Sequence, residues 1–232
     1  MECKRDDRLP QIGMDPHSRS LAEEVVNSLT HGVGLVLCLV GSSLLLIRVL
    51  SPPDMWRLVG CGVFATALVA VYAASTLSHA VPQPVWRRTF RILDQSCIYL
   101  LIVGTYTPFA LEYLRFGWWW LFFSLMWTAA LVGFVSKLLL LHRIDAVTIW
   151  SYLLLGWLPI IPAWVYLDLV PWGALMWILI GGLCYTAGTV FLILDHRPWH
   201  FHAIWHLFVL AGSVCHFYAV FRFVACAPVR LS

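Results

Sequence analysis

Leu58–Trp86 reads LVGCGVFATALVAVYAASTLSHAVPQPVW and contains no Asp, Glu, Lys or Arg. A helix needs about 17–25 predominantly apolar residues to cross the hydrocarbon of a bilayer. This run supplies them before Pro82 and Pro84 interrupt it. Its hydrophobicity is continuous rather than alternating, which suits a helix and not a barrel strand. Near its end stands His79, an ionisable side chain in a membrane-length segment, where such groups are costly unless partnered.

The pattern repeats outward from there. Val25–Ile47, Gln95–Leu111, Phe116–Ser136, Ala146–Leu167, Leu169–Leu194 and Pro198–Phe221 are also free of Asp, Glu, Lys and Arg. The chain of 232 residues is 61% hydrophobic and only 12% charged, whereas a soluble domain averages about 25% charged. Its mean hydropathy is +0.81. Lipid offers no partner to backbone groups, so segments that span it must satisfy their own hydrogen bonds as helices. The expected fold class is an all-α membrane protein, a seven-transmembrane helix bundle. Its helices are expected at about 25–48, 57–80, 92–112, 117–141, 146–167, 172–194 and 200–223.

The joints between these runs are short and carry proline or glycine: Ser51–Asp54, Pro82–Pro84, Arg115–Gly117, His142–Asp145, Asp168–Pro171 and Asp195–Pro198. No joint has room for a second domain. Residues 1–20 are polar, with Pro10, Gly13 and Pro16, and are expected to form a disordered cytoplasmic tail. Residues 21–226 form the seven-helix domain, and 227–232 a short C-terminal tail. Ser20 with Glu23 has the spacing of a capping box that opens the first helix. The first 24 residues lack the apolar core of a cleavable signal, so the first helix is expected to remain. Thr107–Pro108 and Pro159 with Pro162 are expected to kink helices 3 and 5. Gly181, Gly182 and Gly188 suit close contacts within the bundle.

With an intracellular N-terminus, one face of the membrane receives Lys4, Arg5, Arg8, Arg19, Arg87, Arg88, Arg91, Lys137, Arg143 and Arg197. The other receives Arg48, Arg57, Arg115, Arg222 and Arg230. The cytoplasmic side of a membrane protein carries the excess of basic residues, so the N-terminus is placed in the cytoplasm and the C-terminus outside. Trp56, Trp86, Trp118, Trp119, Trp120, Trp172 and Trp199 lie near segment ends, where aromatic belts form. The net charge of +3 includes no basic block, and no nucleic-acid partner is expected. The seven cysteines form no C-x-x-C pair and read as small buried hydrophobes.

In that topology His79, Asp94, His202 and His206 all fall at one depth on the cytoplasmic side. His202 and His206 are separated by four residues and share a helix face, as do Ser75 and His79. Three imidazoles favour zinc over magnesium or calcium, which prefer oxygen. Three protein ligands leave a fourth position for water, the pattern of catalytic zinc sites. Asp94 then orients that water or acts as general base, and Ser75 bonds to His79 or polarises a carbonyl. His31 and His216 read instead as interhelical hydrogen-bonding residues, and His142, His196 and His200 as solvated residues near loops.

These residues also carry a resemblance. Glu23–Gly32, EEVVNSLTHG, resembles the N-terminal signature of the bacterial hemolysin III family. Ser75–His79 is similar to the S-x-x-x-H motif of the wider progestin and adiponectin receptor-like superfamily. Asp94, with Tyr99 and Gly104–Pro108, resembles its third-helix motif, and His202–Val209 its H-x-x-x-H seventh-helix motif, followed by His216–Tyr218. The resemblance spans about residues 21–223. It implies a seven-helix fold with an intracellular N-terminus in the cell membrane of a bacterium, and zinc on His79, His202 and His206. It also implies likeness to ceramidases, with Ser75 and Asp94 completing a hydrolytic site.

Three functions compete: a zinc-dependent hydrolase of a lipid amide or ester acting on membrane lipids, a cytolytic pore, and a receptor or sensor with structural zinc. A pore needs polar faces through the bilayer. Thr66, Ser124, Thr128, Ser151, Thr186, Thr189 and Ser213 form no evident stripe.

Overall fold

A computed structural model of the chain describes residues 20–139, 145–161, 167–194 and 200–228. The expected tail before Ser20, residues 229–232 of the C-terminal tail, His142, Arg143, Pro162, His196 and Arg197 lie outside the described residues. Among the described residues the secondary structure is helical: α1 (Leu21–Val49), α2 (Met55–Ala80), α3 (Pro84–Tyr113), α4 (Trp119–Leu139), α5 (Asp145–Trp157), α6 (Trp172–Ile193) and α7 (Phe201–Val220). A 3₁₀ turn, Leu158–Ile160, follows α5, and a π turn, Phe221–Ala225, extends α7.

Among the described residues, five helical segments are long and apolar enough to cross a membrane: Leu21–Val49, Met55–Ala80, Trp119–Leu139, Trp172–Ile193 and Phe201–Ala225. Thr148–Ile160 is apolar but shorter. The chain is a multi-pass protein of the cell membrane, and α1 gives the physical reason. Its buried face carries Glu24, Asn27, His31, Gly34, Cys38 and Ser42. Leu29, Val33, Val36, Leu37, Val40 and Leu44 point outward and are more than half exposed. Water would reverse that arrangement; a hydrocarbon solvent selects it.

Local chemistry sets the helix ends. Ser20 caps α1 by accepting from the Glu23 amide, while the Glu23 carboxylate accepts from the Ser20 amide, so the expected capping box forms. It starts α1 four residues before the expected boundary of 25. Asp54 caps α2 by accepting from the Arg57 amide at 3.0 Å. The expected start of helix 3 at about 92 is wrong. Pro84 occupies its first turn, where a missing N–H costs nothing, so Arg87, Arg88 and Arg91 are already helical. Helix 5, expected to run to 167, gives way at Trp157 to the 3₁₀ turn containing Pro159. Pro108 lies inside α3 without ending it.

α2 packs between α1 and α3, α7 packs on α6, and α7 also touches α1. Gly34 lets α1 approach the Tyr72 ring so closely that a Cβ would collide with it. Gly181 and Gly188 likewise face His216 and the Phe208 and Trp205 side chains, so small residues serve contacts inside the bundle as expected. Gly182 faces the Trp157 ring instead.

The two ends of α2 each carry buried ionisable groups. Arg57, in its first turn, meets Glu112 of α3 through two parallel bonds: Nε donates to Oε2 at 2.8 Å and Nη2 to Oε1 at 2.9 Å. The same guanidinium donates to the carbonyls of Ala227 and Pro228 at 2.8 and 2.7 Å. Four bonds from one buried cation thus clamp α2, α3 and the chain beyond α7. Removing one partner of a buried ion pair costs about 3–5 kcal/mol because the other charge is stranded. Arg57→Met and Glu112→Leu should each lower the unfolding temperature in detergent. The double variant should be more stable than either single, read as a double-mutant cycle by thermal unfolding.

Candidate metal centre

His79 lies in the last turn of α2, about 33 Å along the helix axis from Arg57 at 1.5 Å per residue. His202 and His206 lie in the first turns of α7. Ligand atoms of the three residues all lie within 4.8 Å of one another. Ring centroids are 5.1 Å apart for His79 and His202, 5.2 Å for His79 and His206, and 4.5 Å for His202 and His206. His79 and His206 are buried, and His202 is partly buried. The two motifs, far apart in sequence, therefore meet, and the group is compact enough to hold one metal ion.

The donor chemistry fits such an ion. Nδ1–H of His79 donates to Glu24 Oε2 at 2.7 Å. That bond fixes the ring and leaves Nε2 available as a ligand, the carboxylate–histidine arrangement that supports metal-binding imidazoles. Glu24 Oε1 lies 3.8 Å from Arg87 Nη1, so the carboxylate is held from both sides. Three imidazoles match zinc better than hard cations.

α1 supplies a second support. His31 stacks on His206 with ring centroids 3.6 Å apart, and a 2.6 Å hydrogen bond joins its Nδ1 to Ser75 Oγ. The expectation that His31 is an interhelical hydrogen-bonding residue holds. Ser75, offered as a partner for His79, bonds to His31 instead, while His79 Nδ1 bonds to Glu24. His216 also behaves as expected: its Nε2 donates to the Ile178 carbonyl of α6 at 3.1 Å. His200 is exposed at the start of α7.

Asp94 lies about three turns into α3, since that helix already begins at Pro84, and is partly buried. Among the described residues, the group of mutually close ligand atoms consists of the three histidines and does not include Asp94. Sequence reasoning missed Glu24 and Asn27. Both stand in the EEVVNSLTHG stretch without an assigned role, yet both are buried, at 5% and 1% exposure. The available signal was helical spacing: Glu24, Asn27 and His31 fall at i, i+3 and i+7 on one face.

Fold and site together define a multi-pass helical membrane protein with a buried three-histidine centre. A family profile described as Haemolysin-III related matches residues 19–217. Hemolysin-3 of Bacillus cereus is 35% identical over 202 residues, which cover 87% of this chain and 92% of that protein. The Hemolysin-3 homolog of Bacillus subtilis (strain 168) is 33% identical over 209 residues, covering 90% and 98%. The human Monocyte to macrophage differentiation factor is 29% identical over 218 residues, covering 89% and 86%. The chain belongs to the hemolysin III family, within the progestin and adiponectin receptor-like superfamily.

The supporting carboxylate makes a measurable difference. Glu24→Gln should weaken zinc binding by about 10–100-fold, the usual effect of losing such a partner. His79→Ala should abolish stoichiometric retention. Competition against a chromophoric chelator, with purified protein in detergent, reads both.

Proposed function

We propose that this hemolysin III family protein is a zinc-dependent hydrolase of a lipid amide or ester that takes part in membrane lipid homeostasis. The observation that carries it is the closure of His79, His202 and His206 to within 4.8 Å, with Glu24 bonded to His79. The proposal includes seven membrane spans with the N-terminus in the cytoplasm, supported by the Lys and Arg distribution. The centre then lies at the cytoplasmic end of the bundle.

Zinc held by three imidazoles lowers the pKa of water to about 7 and polarises a carbonyl. The chain's own residues do the rest. Asp94 accepts a proton from water as its oxygen bonds to the carbonyl carbon. Asp94 then returns that proton to the leaving nitrogen or oxygen as the C–N or C–O bond breaks, giving a fatty acid and an amine or alcohol. Ser75, its Oγ accepting from the His31 Nδ1–H, has its own O–H left to donate to the carbonyl oxygen. Glu24 and His31 keep the imidazoles in place.

Among the described residues the compact group is three histidines, a donor number that suits a site with an open fourth position. Five of the seven hydroxyls considered for a pore are engaged elsewhere: Thr66 donates to the Gly62 carbonyl, Thr186 to that of Gly182 and Thr189 to that of Thr186, Ser151 bonds with Tyr99, and Ser213 with Tyr72 and Tyr185. That leaves a conducting path little to work with.

The test is zinc-supplied purified protein with a panel of ceramides, N-acyl amines and their esters, products being read by mass spectrometry. Turnover should fall at least about 100-fold in Asp94→Asn, the size of a general-base contribution, and vanish in His79→Ala. Equal product formation by wild type and His79→Ala would sink the proposal.

A further inference from the structure

The three histidines sit on two helices that pack mainly on others. α2, which carries His79, lies between α1 and α3, and α7, which carries His202 and His206, lies on α6 and α1. Their relative register decides whether the three imidazoles can share one ion. Zinc–imidazole bonds run about 2.0–2.1 Å and tolerate a deviation of about 0.2 Å. A slip of one residue along a helix is about 1.5 Å.

Two turns away from the histidines, the two helices are joined. The Tyr72 hydroxyl of α2 donates to Ser213 Oγ of α7 at 3.0 Å. Tyr72 precedes His79 by seven residues, and Ser213 follows His206 by seven. Seven residues are about two turns, so each lies on the same face as its histidine, about 10 Å along the axis. The helices run antiparallel, so the bond is made at the register that also brings His79 to His206. Ser213 Oγ bonds in addition with the Tyr185 hydroxyl of α6 at 2.8 Å. Glycines seat both rings: a Cβ on Gly34 of α1 would collide with Tyr72, and one on Gly212 would come within 2.9 Å of Tyr185. Tyr72 is 0% exposed and Ser213 4%, and lipid offers no competing partner to their hydroxyls. The Tyr72 ring also lies 5.0 Å from that of His31, which stacks on His206.

We propose that Tyr72 and Ser213 are positioning residues of the histidine centre: their hydrogen bond sets the register of α7 against α2, and so the separation of His79 from His202 and His206. The inference rests on reading the three histidines as a metal centre and needs no hydrolysis. Tyr185 serves the same oxygen but comes from α6, which carries none of the three histidines. It steadies Ser213 without setting that separation.

The test uses the full-length protein in detergent, stripped with a chelator and titrated with Co²⁺, whose visible absorption reports the number and arrangement of its ligands. Tyr72→Phe, Ser213→Ala and Tyr185→Phe each remove one oxygen and add no bulk. All three should lower the unfolding temperature of the stripped protein, since each loses a buried bond. Tyr72→Phe and Ser213→Ala should also weaken Co²⁺ binding about tenfold, the low end of the effect of losing a support behind a ligand, and shift the absorption bands. Tyr185→Phe should keep the wild-type affinity and bands. Wild-type affinity and bands in Tyr72→Phe overturn the proposal. So does an equal change in Tyr185→Phe, which marks a general loosening of the bundle. A wild type that takes up no cobalt overturns the metal reading and this inference with it. Failure of the hydrolase alone, read as lipid turnover, alters none of these cobalt results.

Discussion

Lipid cannot hydrogen-bond to a side chain, and that constraint organises one end of this bundle. Glu24, Asn27 and His31 of α1 have no favourable place on the outer surface, so α1 turns them inward and sends its leucines and valines outward. Once inward, they meet the end of α2 and the start of α7. Two bonds express this meeting, His79 to Glu24 at 2.7 Å and Ser75 to His31 at 2.6 Å, and the first ties α1 to the histidine centre. It joins two helices, fixes an imidazole and gives a buried carboxylate a hydrogen-bond donor, with Arg87 nearby.

The opposite end of α2 solves the same problem differently. Arg57 and Glu112 pair side by side, and the spare donors of the guanidinium reach two main-chain carbonyls. Arginine suits this role because its planar fork can serve several acceptors at once. The pair gives each charge a full set of partners, whereas the histidine end keeps nitrogen atoms gathered around a common point. One end is chemically closed and the other is built to take a ligand. Stability and chemistry are thereby separated by nearly the length of a membrane-spanning helix.

The membrane class and the histidine centre were legible in the sequence because both rest on strong signals. Uninterrupted apolar runs mark spans, and histidines within them are rare enough to single out. Helix ends were less legible where proline is ambiguous: Pro82 and Pro84 read as a break, yet Pro84 opens α3, since proline can start a helix as well as stop one. Glu24 was missed because a charged residue just before an apolar run looks like a solvated entry. Its burial depends on Arg87 and His79, which are remote in sequence and brought close only by packing. Ser75 shows the same limit. Spacing placed it on the face of His79, but spacing on one helix does not reveal that a histidine from another helix takes its hydroxyl.

α1 contributes no residue to the group of three histidines that could hold an ion, yet it touches two of them. A helix in this position governs the centre through orientation. If α1 shifted along its axis by one residue, about 1.5 Å, both the Glu24 and His31 contacts would be strained together, because they lie on the same face. Gly34 limits such movement, as the Tyr72 ring is pressed against the α1 backbone there. The capping box at Ser20 fixes where the helix begins. Close packing and capping thus hold in register the two side chains that position the imidazoles, which is how a helix without a ligand sets the geometry of the centre.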